Sequence, residues 1–365
     1  MALRVGIIGL PNAGKSTLLN ALARTGAAVA PYPFTTIDPN IGVVSVPDDR
    51  LAAIAGVTHP QRVAPAAVEF VDIAGLVRGA HTGEGLGNQF LAQIREVDAL
   101  AHVVRLFEAP DVPAAEGDVD PVRDVGIVEA ELLLADLAVV ERARERLIPR
   151  ARAGDREAKQ ALEAADRLRE GLQRGRPARE VERSPEEAAR SGEWHLLTGK
   201  PVLYVANVGE GITSADPRLE AIRTYAQAQG AAAVAINARW EADLAELEPA
   251  EAEPFRAAAG EGGEDPPLTR FARAAYALLG LVTFFSVASA EVRAWPVPRG
   301  TTAVEAARRI HTDMAQGFIR AEVIDWGTLV AAGGLAQARE RGLLRLEGRG
   351  YQVQDGDVIT FRFAV

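Results

Sequence analysis

The sequence predicts an α/β fold: a nucleotide-binding domain with a buried sheet, interrupted by an inserted α-helical arm and followed by a small β-rich domain. Three observations carry that prediction. Near the N-terminus, RVGIIGLPNAGKSTLLNAL sets a glycine-rich loop between an apolar run and an amphipathic segment. From Val122 to about Thr198 the chain has no strand-like run and is rich in Ala, Leu, Glu and Arg. Beyond residue 280 it returns to short alternating strands around one amphipathic helix, Ala303 to Ile310. The expected boundaries are 1–121 with 199–279 for the nucleotide domain, 122–198 for the arm and 280–365 for the β-rich domain.

The N-terminal loop fits G-x-x-x-x-G-K-[ST], with Gly9, Gly14, Lys15 and Ser16 in the fixed positions. An apolar run, Val5 to Ile8, precedes it and Leu18, Leu19 and Leu22 follow, so strand, loop and helix come in the order a phosphate-binding loop requires. Its glycines let backbone N–H groups turn toward phosphate oxygens, and the helix N-terminus adds a favourable dipole. Lys15 brings a point charge to the β- and γ-phosphates, and Ser16 a hydroxyl for Mg²⁺.

Composition narrows the class. A formal net charge of −10 over 365 residues argues against nucleic-acid binding through global charge alone, and leaves local basic patches open. The absence of cysteine excludes disulfides, thiolate metal sites and cysteine nucleophiles. No basic, apolar leader opens the chain and no apolar run approaches the ~18–20 residues of a membrane span, so a cytoplasmic enzyme without membrane association is expected.

After the first helix, Pro31, Pro33 and Pro39 exclude regular helix, and Tyr32 to Asn40 reads as an exposed loop before a strand at Gly42–Val46. Thr35 and Thr36 lie on it, where a threonine reaches the Mg²⁺ and γ-phosphate of a switch protein. The run Ala67 to Val71 then leads into Asp72–Ile73–Ala74–Gly75, a D-x-x-G at a strand end. Asp72 is placed to hold Mg²⁺ through water, and the Gly75 N–H to meet the γ-phosphate. The next residue is Leu76, where many GTPases carry a water-orienting glutamine. An apolar side chain cannot orient water. His81, Glu84, Asn88 and Gln89 are neighbours that no spacing singles out, and a partner is the other source of the missing group.

A strand at His102 to Phe107 follows, with His102 read as a core histidine. The arm is read as two antiparallel helices bent between Pro149 and Asp155. Between Glu141 and Arg190 it holds 14 Arg/Lys against 11 Asp/Glu, a local excess of three positive charges. The nucleotide fold resumes with a strand at Pro201 to Ala206, ending at Asn207–Val208–Gly209–Glu210. Guanine recognition uses N-K-x-D, whose Asp accepts from N1–H and the 2-amino group. Here Val208 replaces Lys and Glu210 replaces Asp, and adenine offers no 2-amino donor, so the substitution favours ATP over GTP. One strand later, Asn237–Ala238 is where a loop backbone meets the base edge.

GLPNAGKST, PYPFTTIDPN, VDIAGLVRGAHTGEGLGNQF, VANVGE and the C-terminal segment together resemble the YchF/Obg-like ATPases, over almost the whole chain. That resemblance implies a G-domain-like P-loop NTPase with a C-terminal β-grasp module similar to a TGS domain. It implies hydrolysis of ATP to ADP and phosphate, with GTP bound less well, and a role at the ribosome in translation or stress control. Carried over, Asn12, Ala13, Gly14, Lys15, Ser16 and Thr17 bind nucleotide and Asn207, Val208, Glu210, Asn237 and Ala238 surround the base. Ser16 and Thr36, with Asp72, attend Mg²⁺, while Lys15, Thr36 and Gly75 act on the γ-phosphate. In some relatives an asparagine at the position of Asn12 helps hold K⁺, which supplies positive charge in place of an arginine finger. Two positions depart from the pattern: Asn237 replaces the usual Ser or Thr, and Pro113 and Ala114 stand where relatives often carry a histidine. The expected partners of a monomer are the ribosome, as large subunit or whole particle, and RNA or ribosomal protein reached through the arm and the TGS-like cleft. A GTPase of the same fold in ribosome assembly, and a nucleotide-gated binding module with negligible hydrolysis, are the alternatives.

The Glu248–Pro267 stretch reads as a mobile Pro/Gly/Glu-rich link before a helix at Arg270 to Leu279. His311 with Asp313, and Gly356 between Asp355 and Asp357, are read as structural.

Overall fold

The computed structural model describes residues 3–27, 40–73, 86–213, 215–259, 265–288 and 290–364, with backbone alone at 25–27, 86–89 and 249. Its contacts define two units, Met1–Val44 with Glu69–Leu278 and Ser45–Val68 with Leu279–Val365.

The first unit opens with β1 (Leu3–Ile8), whose last four residues are buried, and α1 (Lys15–Ala27), whose Leu18, Leu19 and Leu22 face inward. β2 (Ile41–Val46) alternates buried and half-buried residues. The chain then gives α2 (Asp49–Thr58) and β3 (Arg62–Ala64) to the second unit before β4 (Ala66–Asp72), α3 (Leu86–Glu96) and β5 (Ala99–Arg105). The expected boundaries place 45–68 with the nucleotide domain, whereas the structure pairs β3 with a strand more than two hundred residues later.

α4 (Pro121–Arg152) is 32 residues long, about 48 Å. Asp120 caps it by accepting from the Arg123 N–H, and Pro121 sits in its first turn, where no N–H is needed. Val125, Val128 and Leu132 of its first half pack into the sheet's core, while Val140 joins a separate cluster with Leu168, Leu172 and Val181. α5 (Arg156–Gln173) returns alongside it, joined through the bend at 153–155, and α6 (Pro185–Gly192) closes the arm. One helix therefore serves two cores.

β6 (Val202–Asn207), α7 (Pro217–Ala228), β7 (Ala232–Ile236) and α8 (Ala238–Leu244) complete the sheet, with order β2-β4-β1-β5-β6-β7. β5 and β6 are buried throughout, as parallel strands covered on both faces must be. Register aligns Arg105 with Asn207, and Asn207 with Ile236, so several loops leave the sheet at one level. α9 (Pro249–Ala258) occupies the first part of the expected mobile link, whose residues 260–264 lie outside the described residues; Glu248 and Glu251 form a capping box that starts the helix despite Pro254. α10 (Pro267–Leu278) buries Leu268, Phe271, Ala272 and Ala275 at helical spacing, with Phe271 stacked on Phe70 at 4.8 Å.

The second unit holds β8 (Leu281–Val287), β9 (Glu291–Pro298), α11 (Ala303–Ile310), α12 (Thr312–Gln316), β10 (Phe318–Asp325), α13 (Trp326–Ala332), α14 (Leu335–Glu340), β11 (Arg345–Glu347) and β12 (Asp357–Phe363). Its sheet runs β11-β10-β12-β8-β9-β3. The first and last strands of the C-terminal segment are parallel neighbours, β8 and β12, and α11 crosses between β9 and β10, which is a β-grasp arrangement. Thr302 and Glu305 form the capping box of α11, and Ala303, Ala306 and Ala307 turn its apolar face into the core. Gly356 has φ 92°, and a side chain there would strike Trp326 at 2.7 Å, so the turn into β12 requires glycine. His311 accepts from the Asp313 N–H at the start of α12, with both side chains exposed. Among the described residues no group of three His, Asp or Glu is placed to hold a metal.

Candidate functional site

The loop after β1 turns tightly across the sheet's carboxyl edge. Gly9 has φ 149° and a Cβ there would lie 2.3 Å from the Val103 carbonyl; Gly14 has φ 92° and a Cβ would lie 2.1 Å from Asn207 Nδ2. Neither position tolerates a side chain. Asn12 is also left-handed, at φ 62°, a conformation asparagine accepts more readily than most residues. Between these pivots the loop delivers the chain into the N-terminus of α1, where backbone N–H groups and the helix dipole favour an anion.

Lys15 is 8 % exposed, and its Nζ donates to the Leu10 carbonyl at 3.0 Å across the loop it belongs to. Burial pulls its pKa below the usual lysine range, and the nearby Asp72 carboxylate pulls it part of the way back. Ser16 donates its hydroxyl to Asp72 Oδ2 at 2.6 Å, while Asp72 Oδ1 is buried without a hydrogen-bond partner among the described residues. A buried carboxylate oxygen without a hydrogen bond, beside a serine hydroxyl, is a costly arrangement that a divalent cation would satisfy. The donor set fits Mg²⁺, a hard ion that takes one or two protein oxygens and completes its shell with phosphate and water.

Opposite the phosphate loop, Asn207 at the end of β6 works as a clamp. Its Nδ2 donates to the Ala13 carbonyl at 2.8 Å and its Oδ1 accepts from the Ala238 N–H at 3.1 Å, tying the β1 and β7 loops to one side chain. Ala238 itself is buried, with its N–H held by Asn207. Asn237 accepts from the Trp240 N–H and so caps α8. Val208 donates its N–H to the Ile236 carbonyl and leaves an apolar side chain half exposed, with Glu210 exposed two residues on.

These parts surround a cavity of about 940 Å³, walled by Lys15, Ser16, Phe107, Val208, Glu210 and Asn237 among others. That volume suits a nucleotide-sized ligand. Asn12, Gly14, Thr17 and Asn207 also line it, whereas Ala13 is buried and acts through its carbonyl. The expected residues Thr35, Thr36, Gly75, Leu76, His81 and Glu84, and the side chains of Asn88 and Gln89, lie outside the described residues.

Arg105 was not anticipated from the sequence. β5 ends at this residue, earlier than the expected Phe107, and the residue is 4 % exposed. It donates to the carbonyls of Phe107, Val112, Pro113 and Asn12, and it lies 4.3 Å from the centre of the Phe107 ring. Asn12 Nδ2 reaches the same Pro113 carbonyl at 3.1 Å. Arg105 thereby fastens the loop that carries Phe107 to the phosphate loop. Its one sequence signal is a charge closing a strand that is apolar but for His102.

An α/β sheet with a G-x-x-x-x-G-K-S loop after its first strand, and its other site loops at the same carboxyl edge, defines a P-loop nucleotide-binding protein of the GTPase-like class. Comparison agrees. Residues 4–135 match the family model MMR_HSR1, "50S ribosome-binding GTPase", and residues 281–364 match YchF-GTPase_C, described as a protein of unknown function (DUF933). The chain is 46% identical to "Ribosome-binding ATPase YchF" of Bacillus subtilis and 48% identical to the protein of that name from Haemophilus influenzae, each over 100% of both chains. It also matches the solved structure of the Schizosaccharomyces pombe YchF GTPase, with a TM-score of 0.88 and 31% identity over 99% of this chain and 97% of that one. The chain belongs to the YchF family.

Proposed function

We propose that the protein is a ribosome-associated switch that hydrolyses ATP to ADP and phosphate, prefers ATP to GTP, and acts in translation or stress regulation. The observation that carries the reading is the pairing, across one cavity, of the Gly9–Thr17 cradle with an N-V-G-E sequence at Asn207–Glu210. The relatives named as ribosome-binding ATPases support both the partner and the reaction.

Catalysis rests on positioning and charge neutralisation. Lys15, already held across the loop, turns from the Leu10 carbonyl to the β- and γ-phosphate oxygens, and their negative charge restores its pKa. Ser16 with Asp72 and Thr36 would hold Mg²⁺, which would supply Lewis-acid stabilisation of phosphate charge. The loop N–H groups bind the remaining oxygens. Gly75 supplies an N–H to the γ-phosphate, and Leu76 leaves the orientation of water to another group. Around the base, Val208 presents an apolar face where the guanine pattern has lysine. Glu210 sets its carboxylate one methylene further than aspartate, which changes its reach to the base.

Displacement of a fluorescent nucleotide by unlabelled ATP and GTP tests the choice of base. ATP should compete at lower concentration, and Glu210→Asp should narrow the gap by up to about tenfold, the worth of one discriminating hydrogen bond. Equal competition by both nucleotides would remove the ATP preference. GTP as the cognate nucleotide is the second reading, favoured by the solved relative's being called a GTPase. It requires the opposite order of competition.

A further inference from the structure

A second cavity, of about 540 Å³, lies wholly within the arm and shares no wall with the nucleotide site. Arg142, Arg146 and Arg150 of α4 form one side, and Arg190 and Trp194 face it from α6 and the turn after it. The three α4 arginines recur every four residues, so they share a helix face at steps of about 6 Å.

Neighbouring arginines of the arm find carboxylates: Arg144 pairs with Asp166 and Arg169 with Glu141. Arg142 and Arg146 pair with nothing among the described residues. Arg150 is steadied by Asp155 at 2.8 Å and Arg190 by Gln160 Oε1 at 2.7 Å. Glu157 and Glu193 are the acidic residues on the wall, against four guanidinium groups, which leaves a net positive rim on a chain of net charge −10. Trp194 packs its ring on the arm's core and is half exposed toward the cavity.

An aromatic face beside two unpaired guanidinium groups suits a base flanked by phosphates. An acidic peptide would use the arginines and leave the indole unused. Paired bases of a duplex cannot present a face to a side chain, whereas unpaired ones stack on tryptophan with little regard to sequence. We propose that this cavity binds one unpaired nucleotide of a single-stranded RNA, with its base on Trp194 and its flanking phosphates on Arg142 and Arg146. The assignment deepens the ribosome-partner reading, on which it rests for its biological setting.

The test uses the full chain and a fluorescein-labelled ten-nucleotide oligoadenylate, with a non-hydrolysable ATP analogue filling the phosphate-loop site. Fluorescence anisotropy over a salt series should show Arg142→Gln/Arg146→Gln weakening binding tenfold or more. The slope of log K against log salt should fall by about 1.4, the share of two single-strand phosphates. Trp194→Leu should weaken binding about tenfold with its slope unchanged, Trp194→Phe should restore most of the loss, and the same strand in a duplex should bind at least tenfold more weakly. Titrations of the exposed double-arginine variant that superimpose on wild type would overturn the proposal, even if Trp194→Leu failed to fold. So would displacement of the oligomer by polyglutamate as readily as by unlabelled RNA, which would point to an acidic protein. Co-sedimentation with ribosomes separates the two readings. Sedimentation together with unchanged oligomer binding in the variants sinks the cavity alone. Loss of wild-type sedimentation beside intact, Trp194-dependent RNA binding upholds the cavity and sinks the ribosome reading.

Discussion

Lys15 and His102 are both buried cations in waiting, and burial acts on them to opposite ends. Lys15 sits where a polyanion can compensate its desolvation, so its removal should harm chemistry and spare the fold. Lys15→Ala should lower ATP turnover at least a hundredfold, in the range for losing one preorganised charge donor, without lowering the melting temperature. Wild-type turnover in that variant would end the phosphate-loop assignment. His102 has no such ligand. Enclosed on β5 beside Tyr204, its imidazole is pushed down to about 4, chiefly by burial, with Lys15 and Arg179 adding to the shift and Glu129 opposing it. In the unfolded chain it takes up a proton near pH 6.5, so stability from this group is full above that pH, falls as pH drops toward 4, and is constant below. Between pH 7 and pH 4.5 the loss should be roughly 2–3 kcal/mol. Urea unfolding of His102→Leu should show a correspondingly flatter pH dependence. An identical dependence in both proteins would mean that His102 is accessible to protons when folded. Asn12 tests a third residue-scale idea: if its side chain helps hold K⁺, turnover should be higher in potassium than in sodium buffer, and equal rates would discard it.

At the level of elements, α4 is the link between the nucleotide core and the arm, and Asp136 is where the two are fastened. Its carboxylate accepts from the N–H groups of Leu197 and Thr198, each at 2.8 Å, and from the Thr198 hydroxyl at 2.6 Å. One turn-pair earlier on the same helix, Glu129 accepts from the hydroxyls of Tyr204 and Tyr225, both at 2.6 Å. Asp136→Ala would strand three buried donors, a loss on the order of 3 kcal/mol. Amide exchange across 178–199 should rise in that variant while β1 and β6 stay protected; uniform exchange throughout would show that the arm and the sheet unfold as one. Elements of this kind were legible in the sequence where burial is simple. The apolar runs of β4, β5 and β6, and the 3.6-residue pattern of Ala303–Ile310, announce themselves. α9 did not, because Pro254 and the surrounding Glu and Gly mask a helix whose start is set by a capping box.

Across the whole molecule, the sequence was least informative where pairing is distant. Nothing local in Arg62–Ala64 announces a strand whose partner is Glu291–Arg293, so the transfer of 45–68 to the second unit could not be read in advance. The site shows the same division: a motif exposes Gly9–Thr17, whereas Arg105 matters only because folding brings four carbonyls around it. Motif chemistry also leaves one requirement unmet, since Leu76 cannot orient the attacking water. If a ribosome supplies or orders the missing group, single-turnover hydrolysis of ATP by the full chain should accelerate at least tenfold when ribosomes are added, while ATP affinity changes little. Binding led by the arm's cations would make that acceleration fade steeply as salt rises, because each phosphate contact releases counterions. Acceleration that persists at high salt would assign the contact to protein surfaces. An unchanged rate at every salt concentration would leave nucleotide binding, and not its hydrolysis, as the signal the protein carries.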